Sequence, residues 1–152
     1  MTPHQAHAPY DWSALLRLIQ TEFAAMDGRI DPPSSMHHLT VEAIAEQART
    51  GEIWVMGAPP LACMFLTPKA TVLYLGKLAV ASQHRGQGLS RALIEKAATR
   101  ARALGLGAVE VQVRIELMEN HALFRAMGFV EIGRSSHAGF DRPTTVIFHR
   151  KV

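Results

Sequence analysis

A strand pattern followed by a glycine-rich turn and a helix is the feature that most constrains the fold of this chain. The run TVLYLGKLAV (71–80) is rich in strand-forming residues, and SQHRGQGLSRALIEK (82–96) follows it. Glycine weakens a helix, but it permits sharp turns and a close approach of the backbone to a ligand. Because the free N–H groups at a helix start bind anions, this arrangement predicts a site for a phosphate-bearing ligand.

The rest of the chain alternates between helical and strand patterns. Helical periodicity covers 10–26, 40–50 and 116–127. A further helical pattern follows the glycine turn and runs to about residue 104. Strand patterns cover 52–57, 61–68, 71–81, 108–114, 129–137 and 144–152. The resulting order, ααβββαβαββ, predicts a single domain spanning 1–152, of the α/β (α+β) class, with helices on both faces of the sheet.

The charge of the chain excludes few partners and favours none strongly. The net charge is +3 and the sequence pI is about 9.4, but the basic residues are spread along the chain. We therefore expect no nucleic-acid partner.

No apolar run approaches the ~20 residues that span a bilayer, and the N-terminal residues lack the pattern of a secretory signal. We expect a cytoplasmic protein with no membrane partner, in which the single cysteine, Cys63, is a buried small hydrophobe.

The glycine turn fits neither of two common phosphate-binding fingerprints. A dinucleotide-binding turn needs a third glycine where Arg91 stands, and the Gly-Lys-Ser/Thr end of a P-loop is absent.

Metal binding is not favoured either. His37 and His38 form the only close histidine pair, and neither an HExxH motif nor a cysteine pair is present. We expect no metal site.

A third fingerprint does match. Gln83, Gly86 and Gly88 fit the pattern [RQ]-x-x-G-x-[GA], with LAV (78–80) just upstream. This resembles the acyl-CoA-binding motif of the GNAT superfamily of N-acetyltransferases. The segment NHALFRAMGFVEIG (120–133) is similar to the family's second CoA-contacting segment. The element order is similar too, so the resemblance covers about the whole chain and implies a GNAT-like mixed, largely antiparallel central sheet.

The resemblance implies acetyl-CoA as the co-substrate. The pyrophosphate would lie on the N–H groups of 85–90, and the pantetheine arm would pair with 78–80. The residues implied in cofactor binding are Leu78, Ala79, Val80, Gln83, Arg85, Gly86, Gln87, Gly88, Leu89, Ser90, Asn120 and Phe124. The backbone N–H near Val80 would also stabilise the oxyanion on the thioester carbonyl.

The implied reaction is direct attack by an amine on acetyl-CoA, with an acceptor that the sequence does not name. An attacking amine must be neutral, so a base or a proton-removing water chain is expected. Tyr74, six residues before Val80, stands where some family members carry a glutamate base. It is a poor base but could hold a water; alternatively, it is a half-buried strand aromatic. His38 or His37, in the loop that borders the family's acceptor site, and Glu52 are further candidates. Histidines in such a loop more commonly face solvent.

The segment at 116–129 departs from the family pattern. Many members carry a tyrosine four residues before the Gly-Phe pair, where it protonates the departing thiolate; Phe124 stands here and has no proton to give. Leu117 replaces the usual asparagine, and Asn120 lies three residues later. A thiol pKa of roughly 8.5 lets the thiolate leave with little help. We therefore predict slow or water-assisted transfer, with Phe124 packed against the pantetheine arm near the sulfur.

Two other functions stay open at this point. One is a non-catalytic acyl-CoA-binding or regulatory module on the same fold. The other is a basic nucleic-acid-binding domain, which would be retained on DNA in a salt-dependent way. A homodimer is also left open. The loop 31–39, with two adjacent prolines, is expected to help shape the acceptor site or to be a rigid connector.

Overall fold

Seven strands form one mixed sheet at the centre of the molecule. The computed structural model describes residues 1–152. The strands are β1 (His4–Gln5), β2 (Glu52–Met56), β3 (Ala62–Pro68), β4 (Val72–Val80), β5 (Ala108–Arg114), β6 (Val130–Ser135) and β7 (Thr145–Lys151). Their order in the sheet is β1-β2-β3-β4-β5-β7-β6. Only β4 and β5 run parallel, which confirms the predicted, largely antiparallel sheet with one parallel crossover.

Four α-helices cover the two faces of this sheet. They are α1 (Trp12–Ala24), α2 (Val41–Thr50), α3 (Leu89–Ala103) and α4 (Met118–Ala126). The buried residues of α1 and α2 pack in one core cluster, and five of the six buried residues of α3 pack with Phe124 of α4 in another. The predicted element order is therefore confirmed. Strand β1 is an addition, because two residues are too short to give an alternating pattern.

Side chains cap the N-termini of the first two helices. Asp11 Oδ1 accepts a hydrogen bond from the N–H of Ala14 (3.1 Å), and Thr40 Oγ1 accepts one from the N–H of Ala43 (3.1 Å). Cys63 is fully buried, as predicted, and burial raises the pKa of its thiol to about 12. None of the helices has the length and apolar character to cross a membrane.

Strand β4 contains a bulge that matters for the site. Lys77 and Leu78 together oppose the single residue Met64 of β3. Lys77 has a φ of +50°, in the left-handed region, which costs a residue with a side chain about 1–2 kcal/mol. Such bulges re-aim side chains and are frequent beside functional sites.

The bulge reverses which face of the sheet each β4 side chain meets. Before it, Leu73 and Leu75 belong to the core under α3 and α4. After it, Leu78 and Val80 pack against that same core, whereas Ala79 belongs to the core under α1 and α2. A strict alternation from Leu75 would have placed Leu78 and Val80 on the opposite face.

Candidate active site

A gap opens between the two parallel strands. The pairing of β4 with β5 ends at Tyr74 and Glu110, although β4 continues to Val80 and β5 continues to Arg114. One edge of β4 therefore has no neighbouring strand over residues 75–80. Backbone N–H and C=O groups along that edge are free to pair with an extended ligand, in the manner of an added strand.

The orientation of the β4 backbone identifies which groups face the gap. The N–H of Ala81 donates to the carbonyl of Leu61 (2.7 Å), on the β3 side. Because the N–H groups of successive strand residues point to opposite edges, those of Val80 and Leu78 point to the open edge. Both residues are among those predicted to contact the pantetheine arm.

The glycine turn lies directly after this strand. A short 3₁₀ turn, Ser82–His84, leads to Gly86 (φ +76°) and Gly88 (φ +80°), and α3 begins at Leu89. Only glycine adopts these backbone angles readily. A Cβ built at either glycine meets no heavy atom within 4 Å, so the space in front of the turn is open. No side chain caps α3, and its first N–H groups are left for a ligand.

Arg85 is held by an acidic residue that the sequence analysis missed. Its Nη2 donates to Glu22 Oε1 (3.2 Å), and Ser82 Oγ lies 3.4 Å from Glu22 Oε2. The Glu22 side chain, on α1, is only 8% exposed. This carboxylate ties the turn to α1 and offsets the Arg85 charge, so the backbone N–H groups are the main attraction for a phosphate. No local pattern marks Glu22, which lies 63 residues from Arg85.

The other predicted residues of the turn differ in what they can offer. Gln83 and Gln87 are exposed, and Gln87 Oε1 lies 3.4 Å from His84 Nδ1. Ser90 is partly buried. Leu89 is buried in the core under α3, so its side chain is unavailable and only its N–H can meet a ligand.

Helix α4 presents the second predicted cofactor segment. Phe124 is 6% exposed and makes an edge-to-face contact with Phe129, with ring centroids 5.3 Å apart. Asn120 is partly buried. The sequence analysis missed His121, which is buried and whose Nε2 lies 3.0 Å from the carbonyl of Arg114. That bond anchors α4 to the end of β5.

A cleft of about 240 Å³ lies beside β4, on the face that α1 and α2 cover. Its lining residues come from α2, β3 and β4: Gln47, Phe65, Thr67, Tyr74, Gly76 and Lys77. The Tyr74 ring leans over Gly76, where a Cβ would come within 3.2 Å of the ring. Burial, and then the charge of Glu110, raise the pKa of Tyr74. Its hydroxyl therefore stays protonated at neutral pH.

The histidines of the loop do not line the cleft. His37 Nε2 lies 2.9 Å from Asp27 Oδ1, and both side chains are exposed. His38 is exposed as well. The loop is instead held by Arg114, which donates to the carbonyls of Pro32 (2.5 Å) and Pro33 (3.0 Å).

Glu52 is part of an ion pair on the other side of the sheet. Its carboxylate accepts hydrogen bonds from Arg100 Nη2 (2.7 Å), on α3, and from Trp54 Nε1 (2.8 Å). Burial alone would raise the pKa of Glu52, but these hydrogen bonds and the Arg100 charge lower it below the usual value. The structure therefore argues against Glu52 as a base. No group of three or more His, Cys, Asp or Glu side chains is placed to hold a metal ion.

Comparison with known proteins agrees with this architecture. The model of the acetyltransferase (GNAT) family matches residues 12–129. An acetyltransferase of the GNAT family from Staphylococcus aureus Mu50 has a similar structure, with a TM-score of 0.76, 14% identity and coverage of 99% of this chain and 98% of that chain. No curated protein matches the sequence.

Two further solved structures share the fold. The ribosomal-protein-S18-alanine N-acetyltransferase of Escherichia coli has a TM-score of 0.73 and 18% identity, over 99% of this chain and 92% of that chain. A GNAT family acetyltransferase from Elizabethkingia anophelis, with acetyl-CoA bound, has a TM-score of 0.68 and 15% identity, over 99% of this chain and 97% of that chain. At these identities the likeness shows the fold alone.

Proposed function

The chain belongs to the acetyltransferase (GNAT) family, and on that premise we propose that it transfers an acetyl group from acetyl-CoA to a primary amine. The observation that carries the proposal is the gap between β4 and β5, which opens beside the glycine turn. An open strand edge suits the amides of a pantetheine arm. A helix start with free N–H groups suits a pyrophosphate.

In the proposed complex, acetyl-CoA lies along the open edge of β4. Its pyrophosphate accepts hydrogen bonds from the N–H groups of 85–90, and its pantetheine amides pair with Leu78 and Val80. Held in this way, the thioester is presented at the level of the β4 bulge, beside the cleft of Tyr74 and Lys77. Orientation of two substrates in one complex is itself a large part of catalysis.

The chemistry is a direct attack on the thioester. The amine nitrogen forms a bond to the carbonyl carbon, and the carbonyl oxygen gains negative charge, which a backbone N–H on the open edge of β4, beside the bulge, stabilises. The C–S bond then breaks, and its electron pair leaves on the sulfur as the CoA thiolate. The proton of the amine passes to a water held by the Tyr74 hydroxyl. Phe124 donates no proton to the sulfur, so the thiolate leaves unassisted or is protonated by solvent.

Replacement of Tyr74 by phenylalanine tests the proposed role of its hydroxyl. Because the raised pKa keeps Tyr74 protonated in the neutral range, its ionisation contributes nothing to the pH profile there. We expect Tyr74→Phe to lower kcat about 5-fold, the effect of one lost hydrogen bond, without moving the pH profile of kcat/KM. Loss of an ionisation from that profile would show that Tyr74 is itself the base.

Replacement of Ser35 by alanine tests whether the loop shapes the acceptor site. Ser35 Oγ accepts a hydrogen bond from Lys77 Nζ (3.0 Å), and Lys77 lines the cleft. We expect Ser35→Ala to raise the KM of the acceptor several-fold and to leave the KM of acetyl-CoA unchanged. His38→Ala, on the same loop but outside the cleft, should have a smaller effect. If neither variant alters acceptor kinetics, the loop is only a connector.

The function itself is tested by mixing the purified protein with acetyl-CoA and a panel of amines, and by measuring the release of free CoA. Release that depends on one class of amine is the expected result. Tight binding of acetyl-CoA without release for any amine would instead indicate a non-catalytic acyl-CoA-binding module. Retention on DNA that falls with salt, with no stabilisation by CoA, would indicate a nucleic-acid-binding domain.

A further inference from the structure

The cleft beside β4 holds a half-buried cation. Lys77 lines the cleft, and its Nζ donates to Ser35 Oγ (3.0 Å) and lies 5.9 Å from the centre of the Phe23 ring. The bulge directs this side chain toward α1 and the loop, at the expense of a left-handed backbone at Lys77. A strained backbone that points a charged group into a cleft is a feature typical of functional sites.

No carboxylate forms an ion pair with Lys77. Arg114 forms no close ion pair either, although the charges of Glu116 and Asp31 act to raise its pKa. The guanidinium of Arg114 is bound to the carbonyls of Pro32 and Pro33 instead. Burial, and then the charge of Arg114, lower the pKa of Lys77. An anion beside Lys77 would stabilise its charged ammonium group against both the burial and the repulsion from Arg114.

The cleft also lacks a partner for a second positive charge. None of its lining residues is acidic. Glu110, which is paired with Tyr74 across β4 and β5, already has its Oε1 2.8 Å from His149 Nε2. A polyamine would place a cation beside Lys77 with nothing to compensate the repulsion.

We infer that the acceptor is an amine that also carries an anionic group, a carboxylate or a phosphate, and that Lys77 binds this group. The inference rests on the proposed function and deepens it by naming the substrate class. Lys77 is part of the bulge, and the proposed complex places the thioester at the level of this bulge. One small molecule therefore spans the distance from the anion site to the thioester. An ammonium that meets a carboxylate or a phosphate forms a strong, charge-assisted hydrogen bond.

The test compares matched amines that differ only in the anion. The carboxylate arm uses amino acids and their amides, and the phosphate arm uses phosphoethanolamine and ethanolamine. Two readouts are taken: the KM of each amine from CoA release, and the thermal stabilisation that each amine gives in the presence of CoA, which needs no turnover. The variants are Lys77→Gln, Lys77→Arg to restore the charge, and Lys151→Gln on the exposed end of β7 as a control.

We expect the anionic member of at least one pair to be preferred by the wild-type protein, and the arm in which this occurs identifies the anion. Lys77→Gln should raise the KM of that amine about 10- to 100-fold and remove its stabilisation, with the KM of acetyl-CoA unchanged. Lys77→Arg should recover part of the loss, and Lys151→Gln should match the wild type.

Equal use of anionic and neutral amines, or an unchanged preference in Lys77→Gln, would overturn the inference while the acetyltransferase proposal stands. Absence of CoA release for every amine would count against the proposed function. In that case the stabilisation measurement alone decides whether Lys77 binds an anion: stabilisation by the anionic amines that Lys77→Gln removes supports it, and no such stabilisation overturns it.

Discussion

Gly88→Val is expected to reduce the affinity for acetyl-CoA by about 100-fold or more, the loss expected when two charge-assisted hydrogen bonds to phosphate are removed. Gly88 caps α3 with a φ of +80°, which a β-branched residue adopts only with strain. Valine would turn the backbone away from this angle and re-aim the N–H groups that follow. Its methyl groups would also fill the open space in front of the turn. Isothermal titration with acetyl-CoA measures the change.

Gly105→Val is a matched control at the opposite end of the same helix. Gly105 has a φ of +72°, and a Cβ there also meets no heavy atom within 4 Å. Both variants should lose about 1–2 kcal/mol of unfolding free energy, because both force a side chain into the left-handed region. Only Gly88→Val should lose the ligand. Equal affinities for the two folded variants would show that the pyrophosphate does not lie on this turn.

Phe124→Ala is expected to lower the free energy of unfolding by about 3–5 kcal/mol, the usual effect of removing a buried phenylalanine ring. Phe124 is nearly inaccessible and packs edge-to-face on Phe129 in the core under α3 and α4. For a domain of ordinary stability this is a large fraction of the total. Urea unfolding followed by circular dichroism measures the loss. Leu123 is the neighbouring residue of α4 and is 38% exposed, so Leu123→Ala should lower the free energy of unfolding far less.

The same position tests the proposed cofactor contact. If the Phe124 ring also packs on the pantetheine arm, Phe124→Ala weakens acetyl-CoA binding in the fraction that remains folded. Phe124→Tyr should keep the binding and leave the rate equal or higher, because it adds a proton donor where many family members have one. Wild-type affinity of Phe124→Ala would show that the ring belongs only to the core and would undercut the alignment of 116–129 with the family pattern.

Local patterns were sufficient for most of the fold. The strands β2 to β7, the four α-helices and the glycine turn were predicted from residues that are neighbours in the sequence, and the positive φ angles of Gly86 and Gly88 explain why glycine stands there. The parallel crossover followed from the order of elements. Strand β1 was missed because its pairing with β2 depends on a distant partner and not on its own two residues.

The parts of the site that were missed depend on long-range contacts. The bulge at Lys77 is visible only in the register between β3 and β4, so sequence alternation gave no reason to direct this lysine into the cleft. Glu22 reaches Arg85 only after α1 has packed beside the turn. Glu52 looked like a possible base in the sequence, but its partner Arg100 lies 48 residues away.

The most direct test of the central claim is a titration of the ¹⁵N-labelled protein with acetyl-CoA, followed by the backbone amide signals. The account predicts that the largest shifts occur along the open edge of β4 and on the glycine turn, at Leu78, Val80, Gly86, Gly88 and Ser90. The amide of Gly105, at the far end of α3, should not move. Shifts centred elsewhere, or none at saturating acetyl-CoA, would contradict the placement of the cofactor between β4 and β5.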